Sequence, residues 1–168
     1  MAHLSPTQLQ TLAARINAST DPAVVAARNA GADNELARLY NLEASPAFVV
    51  WRTSVSRVEI YNNTSPEGTT WSWTFYKNQS AVEQNAWVQM FMGDQADFSK
   101  ANLRAGISVI FTAASSANAT HALAIGKRNA RLVERVFASG TGSTASPGTL
   151  VFEGTIDADH IAAALRPN

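Results

Sequence analysis

The sequence predicts a mainly α-helical domain, with about six or seven helices and at most a small β element. Three observations carry this. Apolar residues recur at three- and four-residue spacing along most of the chain, the signature of amphipathic helices. Helix-start chemistry punctuates it: Ser5-Pro6, Asp21-Pro22, the Ser80-Ala81-Val82-Glu83 capping box and Asp157. Residues suited to strands gather only in short runs, at 47–55, 71–76 and 150–154.

Taken in order, the first helix starts at Ser5-Pro6 and carries Leu9, Leu12, Ala13 and Ile16 as its stripe. A second follows Asp21-Pro22 with Val24, Val25 and Ala27, and a third runs from Asn34 to Leu42, capped by Asp33, with Leu36, Leu39 and Tyr40 inward. These three short helices, within residues 1–43, need tertiary packing to be stable. Ser45-Pro46 breaks the pattern, and the run Ala47 to Val55 fits a strand, a buried extended segment or a helical turn. Ser56 opens a short helix through Val58, Glu59, Ile60 and Tyr61, and residues 62–70 form a polar turn-rich loop. Trp71 to Tyr76 alternates aromatic with small polar residues, as a strand-like edge or an ordered loop would. The Ser80 capping box starts a helix through Trp87, Val88, Met90 and Phe91 that stops at Gly93. Asp97 or Ser99 caps the next, with Leu103, Ile107, Ile110 and Phe111 inward. Thr112 to Ala119 reads as a connector.

Thr120 to Ser139 is the longest stretch that reads as one unbroken helix. Leu123, Gly126, Ala130, Val133 and Phe137 form its seam, and Lys127, Arg128, Arg131 and Arg135 a basic flank. The stretch Ser139 to Thr149 contains only Ser, Gly, Thr, Ala and Pro and predicts a flexible loop. A short strand at 150–154 and a last helix capped by Asp157, with Ile161, Ala162 and Leu165 inward, complete the chain.

At 168 residues one domain is expected, with a core large enough to need no staples. There is no Cys, which excludes disulfides, thiolate catalysis and cysteine metal sites. Net charge is zero, so no global field draws the chain to nucleic acid or a membrane. Only 15% of residues are charged, against a usual quarter, which suits a surface covered by partners and equally a plain neutral surface. No apolar run approaches the roughly 20 residues that span a bilayer. Met1-Ala2-His3-Leu4 does not resemble a signal peptide, so cytosolic synthesis is expected. The Asn-X-Ser/Thr matches at Asn17, Asn62, Asn63, Asn78 and Asn118 then carry no glycosylation meaning.

Catalytic and cofactor chemistry finds little footing. His3, His121 and His160 are scattered and form no HExxH pattern. Asp157-Ala158-Asp159-His160 has ligand-type residues, but Asp157 reads better as a cap. Gly140-Thr141-Gly142 follows a helix instead of joining a strand to one, and no P-loop or nucleophile elbow is present. The reading is therefore of a non-enzyme without cofactor or metal. The basic flank is either a solvated face or a contact surface for acidic side chains or phosphate. Ten of the fourteen aromatic residues lie between Phe48 and Phe98, including all four Trp, which predicts the core of the middle segment or, for Trp71, Trp73 and Tyr76, a protein-binding face.

The run Phe48-Val49-Val50-Trp51-Arg52-Thr53 resembles a motif of a family of small proteins encoded in tailed-bacteriophage structural gene clusters. Further similar segments follow in order: the Trp87 helix, 99–106, 130–134, 137–142, Ser146-Pro147 and Phe152-Glu153-Gly154. The similarity spans about Pro46 to Leu165, but not 62–77. It implies a virion structural protein at the head-to-tail junction, made in the bacterial host cytoplasm. The expected role is an adaptor forming a homo-oligomeric ring, of twelve copies, beneath the portal protein and beside other neck or tail proteins. The expected docking elements are the 139–149 loop, through Ser143, Thr144 and Ser146, and the last helix, through Ile161 and Leu165. The flank of Lys127, Arg128, Arg131 and Arg135 would meet an acidic neighbour or packaged DNA in the channel. Alternatives are a tail-completion or capsid-decoration protein and, from another class, a small nucleic-acid-binding regulator using the same four cations.

Overall fold

A computed structural model describes residues 3–167. Met1, Ala2 and Asn168, read above as lead-in and chain end, lie outside the described residues. In chain order the elements are α1 (Pro6–Asn17), α2 (Pro22–Asn29), α3 (Asp33–Tyr40), β1 (Val49–Trp51), β2 (Val55–Ser56) and α4 (Arg57–Asn62). They continue with α5 (Trp73–Lys77), α6 (Ala81–Gln89), β3 (Gln95–Ala96), α7 (Ala101–Ile110) and α8 (Ser116–Ile125). Last come β4 (Lys127–Asn129), α9 (Leu132–Phe137) and α10 (Ala158–Leu165). Short 3₁₀ turns lie at Met92–Asp94 and Ala113–Ser115. The fold is mainly α, with two two-stranded sheets, β1 with β4 and β2 antiparallel to β3. The described residues hold ten α-helices, more than the six or seven expected, because several read as loop or as one long helix are short and separate.

The chain divides into two compact units, Met1–Val50 with Asn129–Asn168, and Trp51–Arg128. In the first, α1, α2, α3, α9 and α10 enclose Leu12, Ile16, Val24, Leu36, Tyr40, Val133, Phe152, Ile156 and Ile161. Its helices start as the caps predict. Ser5 and Gln8 form a capping box, Asp21 accepts from Ala23 N and Val24 N, and Asp157 accepts from His160 N. Asp33 is the first helical residue of α3 and not its cap, and its carboxylate takes Arg166 instead.

In the second unit, α4 to α8 and the β2–β3 pair surround an aromatic core. Trp87 is fully buried, stacks on Trp71 at 5.3 Å between ring centroids, and meets Phe111 edge-on at 5.2 Å. Its indole N–H donates to the Tyr61 hydroxyl at 2.8 Å. Capping boxes at Ser56–Glu59 and Ser80–Glu83 open α4 and α6.

Four expectations are corrected. Trp71 to Tyr76 is no strand edge. Ser72 Oγ caps α5, and the fully buried Asn118 holds Ser72 by accepting from its N–H at 2.9 Å and donating to its C=O at 3.0 Å. Neither Asp97 nor Ser99 caps α7, whose N-cap is Lys100; the Asp97 carboxylate accepts locally from Ser99. No named strand forms at 150–154; the nearby bridge joins Ser139 to Thr149.

The fourth correction is the largest: the helix expected from Thr120 to Ser139 is two helices with a strand between. α8 starts earlier, at Ser116, and its C-cap is Gly126. A Cβ added there would lie 2.1 Å from Phe98 Cδ1, so the glycine makes room for the ring. Beyond it the backbone turns to partners elsewhere in each unit. Gly126 C=O accepts from Arg52 N at 2.9 Å. Ala130 N donates to Phe48 O at 2.8 Å, Ala130 O accepts from Ala44 N at 2.9 Å, and Leu132 N donates to Leu42 O at 2.8 Å. These bonds replace the i→i−4 ladder that local propensity favoured. Gly126→Ala is expected to destabilise the protein by about 1–3 kcal/mol, the usual cost of overpacking, measured as a lowered urea midpoint with the helical circular-dichroism spectrum retained.

Candidate partner-binding surfaces

Breaking the long helix also dissolves the basic flank as one helical face. Lys127 and Arg128 stand on β4, and Arg131 is the N-cap of α9. Only Arg135 is helical.

Each cation with a described contact is engaged locally. Lys127 lies 3.5 Å from the Glu67 carboxylate and 5.6 Å from the Trp51 ring centre. Arg104 covers the same ring at 4.4 Å while donating to the carbonyls of Phe98 and Ser99 at 2.6 and 2.8 Å. Burial lowers the Arg104 pKa. Arg131 reaches Glu134 at 3.4 Å. Arg135 donates to Pro46 O at 3.2 Å and lies 5.8 Å from the Phe48 ring centre.

Glu134 is a functional surprise of the first unit, a carboxylate with no exposed surface. Within three residues it accepts from Arg131 N at 2.8 Å, which starts α9, and across twenty it accepts from Gly154 N at 3.0 Å, which ties the 152–154 turn to that helix. A buried carboxylate is tolerable when paired and hydrogen-bonded in this way. Spacing alone suggests no more than a pair with Arg131 along a helix. Glu134→Ala removes the acceptor of two partly buried N–H groups and is expected to cost about 1–3 kcal/mol, measured by equilibrium unfolding.

The 139–149 stretch is a closed loop instead of a free tether. Ser139 and Thr149 exchange both backbone bonds, at 3.0 and 2.9 Å, and Ser143 N donates to Ser146 O at 3.2 Å across the tip. Two glycines clasp Phe48. A Cβ at Gly142 would fall 2.2 Å from its ring and one at Gly148 2.6 Å. Gly142 has φ +65°, a conformation L side chains rarely adopt. Val49 donates to Gly142 O at 2.7 Å and accepts from Gly148 N at 2.8 Å. Ser143, Thr144 and Ser146 remain exposed on the outside of the loop. Ile161 is fully buried and Leu165 packs against the same core. Both face inward as their spacing predicts, which takes Ile161 out of any outward-facing contact set.

The motif residues Trp51 and Arg52 are likewise structural. Arg52 Nη2 pairs with Glu59 at 2.7 Å, Nη1 donates to Ile125 O at 3.3 Å, and its carbonyl accepts from Phe98 N at 3.0 Å. The buried His121 supports the neighbouring helix α4. Its Nε2 lies 2.7 Å from Ile60 O, which can only accept, so Nε2 donates there, and its Nδ1 lies 3.1 Å from the Thr69 hydroxyl. Among the described residues no group of three His, Cys, Asp or Glu could hold a metal ion, and no helix is long and apolar enough to cross a membrane.

Among its exposed residues the second unit carries several large apolar side chains. Val58, Trp73, Val82, Met92 and Val109 are each more than half exposed. Trp73 also touches Tyr61, with ring centres 4.7 Å apart, and Tyr76 at 5.8 Å. The first unit exposes fewer such residues, Leu42 and Val151. No protein-family model, curated protein or solved structure matches this chain.

Burial raises the Glu59 pKa, but the Ser56 N–H and the Arg52 guanidinium outweigh it and hold the carboxyl below its ordinary 4.5. Its contribution to stability is therefore complete above that value and is lost as the pH falls through the lower folded one. Unfolding free energy is expected to fall more steeply with acidification below pH 4.5 in the wild type than in Glu59→Gln, as urea titrations across pH 3–6 would measure.

Proposed function

We propose that this protein is a structural subunit of a tailed bacteriophage virion, a head-to-tail adaptor that assembles as a ring beneath the portal. The observation that supports an assembling subunit is the exposed apolar set Val58, Trp73, Val82, Met92 and Val109 on a chain with few charges. We take them to form a contact face, since contiguous apolar surface marks interaction sites. Burying each against a neighbour would contribute about 1.5–3 kcal/mol. In a closed ring every subunit makes the same contact, so modest individual interfaces sum to a stable assembly.

The resemblance read from the sequence between Pro46 and Leu165, outside 62–77, implies the same role. The outward-facing loop tip at Ser143, Thr144 and Ser146 supplies a second contact surface, for the portal protein or a neighbouring neck protein. A tail-completion or capsid-decoration role would use the same surfaces. The regulator reading loses its main support, since Lys127, Arg128, Arg131 and Arg135 do not share a helix face.

A cryo-EM map of the intact particle tests the proposal. Density for this chain as a ring against the portal, with Trp73, Val82 or Val109 in the subunit contacts, is the expected result. Absence of the chain from purified particles would overturn it.

A further inference from the structure

The first unit holds an open pocket of about 270 Å³ that no reading above uses. That volume is far above the roughly 10–15 Å³ a single water needs. Its polar walls come from separate parts of the unit: Arg15 from α1, Ser19 from the α1–α2 connection, Tyr40 from the end of α3, and Arg135 from α9. Val24, Leu132 and Val136 give it apolar surface.

The charges in it are unevenly used. Asp21 also lines the pocket, but its Oδ1 already accepts from Ala23 N at 2.8 Å and Val24 N at 3.3 Å as the cap of α2. The helix start is thereby closed by its own carboxylate. Arg15 makes no hydrogen bond or ion pair among the described residues, and burial raises the pKa of the neighbouring Tyr40 phenol despite the Arg15 charge. Arg135 spends Nη1 on Pro46 O, and its Nε and Nη2 have no acceptor among the described residues. Tyr40 is 3% exposed, yet it borders this cavity. Two guanidinium forks on different helices, one of them without a hydrogen bond or ion pair among the described residues, line one concavity with a single carboxylate, Asp21, whose Oδ1 is taken by the α2 cap. Guanidinium forks match the planar or tetrahedral oxygens of carboxylate and phosphate.

We infer that this pocket binds a compact ligand bearing a phosphate or carboxylate group, held between Arg15 and Arg135, with the Tyr40 hydroxyl as a further donor. The apolar surface limits the rest of the ligand to a small, partly apolar body. The site belongs to one copy of the chain and stands or falls independently of ring assembly.

The test is a titration of the full chain with inorganic phosphate, with succinate, and with chloride at matched ionic strength, followed by amide NMR. Saturable shifts at Ser19, Val24, Tyr40 and Ser45 with phosphate or succinate, and not with chloride, are expected. The tighter of the two ligands identifies which oxyanion the pocket prefers. Arg15→Gln and Arg135→Gln should each weaken that binding by about tenfold or more, and Tyr40→Phe by less. Arg15 is exposed and Arg135 half-buried, and spectra of the unliganded variants verify that each is folded. Linear shifts shared with chloride, or binding unchanged in both arginine variants, would overturn the inference.

Discussion

The structure depends on the hydrogen bonding of one extended run, Phe48 to Arg52. A stretch this apolar can be buried only if its backbone groups find partners. Phe48 C=O is met by Ala130 N, Val49 by Gly142 and Gly148 on its two sides, and Arg52 by Gly126 and Phe98. Phe48 and Val49 belong to the first compact unit and Trp51 and Arg52 to the second, so each unit builds part of its own frame on this run. Its side chains have structural duties as well. Phe48 fills the space between two loop glycines, Trp51 lies under two cations, and Arg52 joins the start of α4 to the end of α8. The contacts of the motif that gives the sequence its most distinctive signature are therefore those of folding.

That division of labour accounts for what the sequence disclosed. Most helix starts at which a side-chain oxygen meets its own first turn were legible, as at Ser5, Asp21, Ser56, Ser80 and Asp157, because a cap is a local interaction; Ser72, which caps the short α5, was the exception. The inward residues Leu12, Ile16, Leu36, Trp87, Ile107 and Ile161 were legible from spacing. The stretch from Gly126 to Arg131 was not. Its residues suit a helix, and only bonds to Phe48, Arg52 and Ala44, some eighty residues away, draw it into extended form. Asn118 was equally hidden, since nothing local marks an asparagine that clasps a backbone forty-six residues earlier. At the candidate surfaces, the exposed serines and threonine of the loop were readable from composition, while the scattering of the cations followed from the broken helix and could not be read without it.

The second unit also shows how a small chain divides its aromatic content. Trp87, Phe98 and Phe111 are buried, Trp71 lies just beneath the surface, and Trp73 stands outside while touching Tyr61 and Tyr76. The outer ring is thus braced by the inner ones. Such a side chain loses little conformational freedom when a neighbour covers it, which favours association more than a freely rotating residue of the same area would.

The clasp on Phe48 leaves one practical consequence. The loop grips the ring with glycine backbone, from Gly142 on one side and Gly148 on the other, and closes at its base through Ser139 and Thr149. Thr144 and Ala145 at its tip add no side-chain bond to that grip and face outward. Evolution can therefore rewrite or lengthen the tip while the anchor beneath it stays unchanged, and an experimenter can place an epitope or a fluorophore there for the same reason. The loop separates, within eleven residues, what must be kept from what is free to drift.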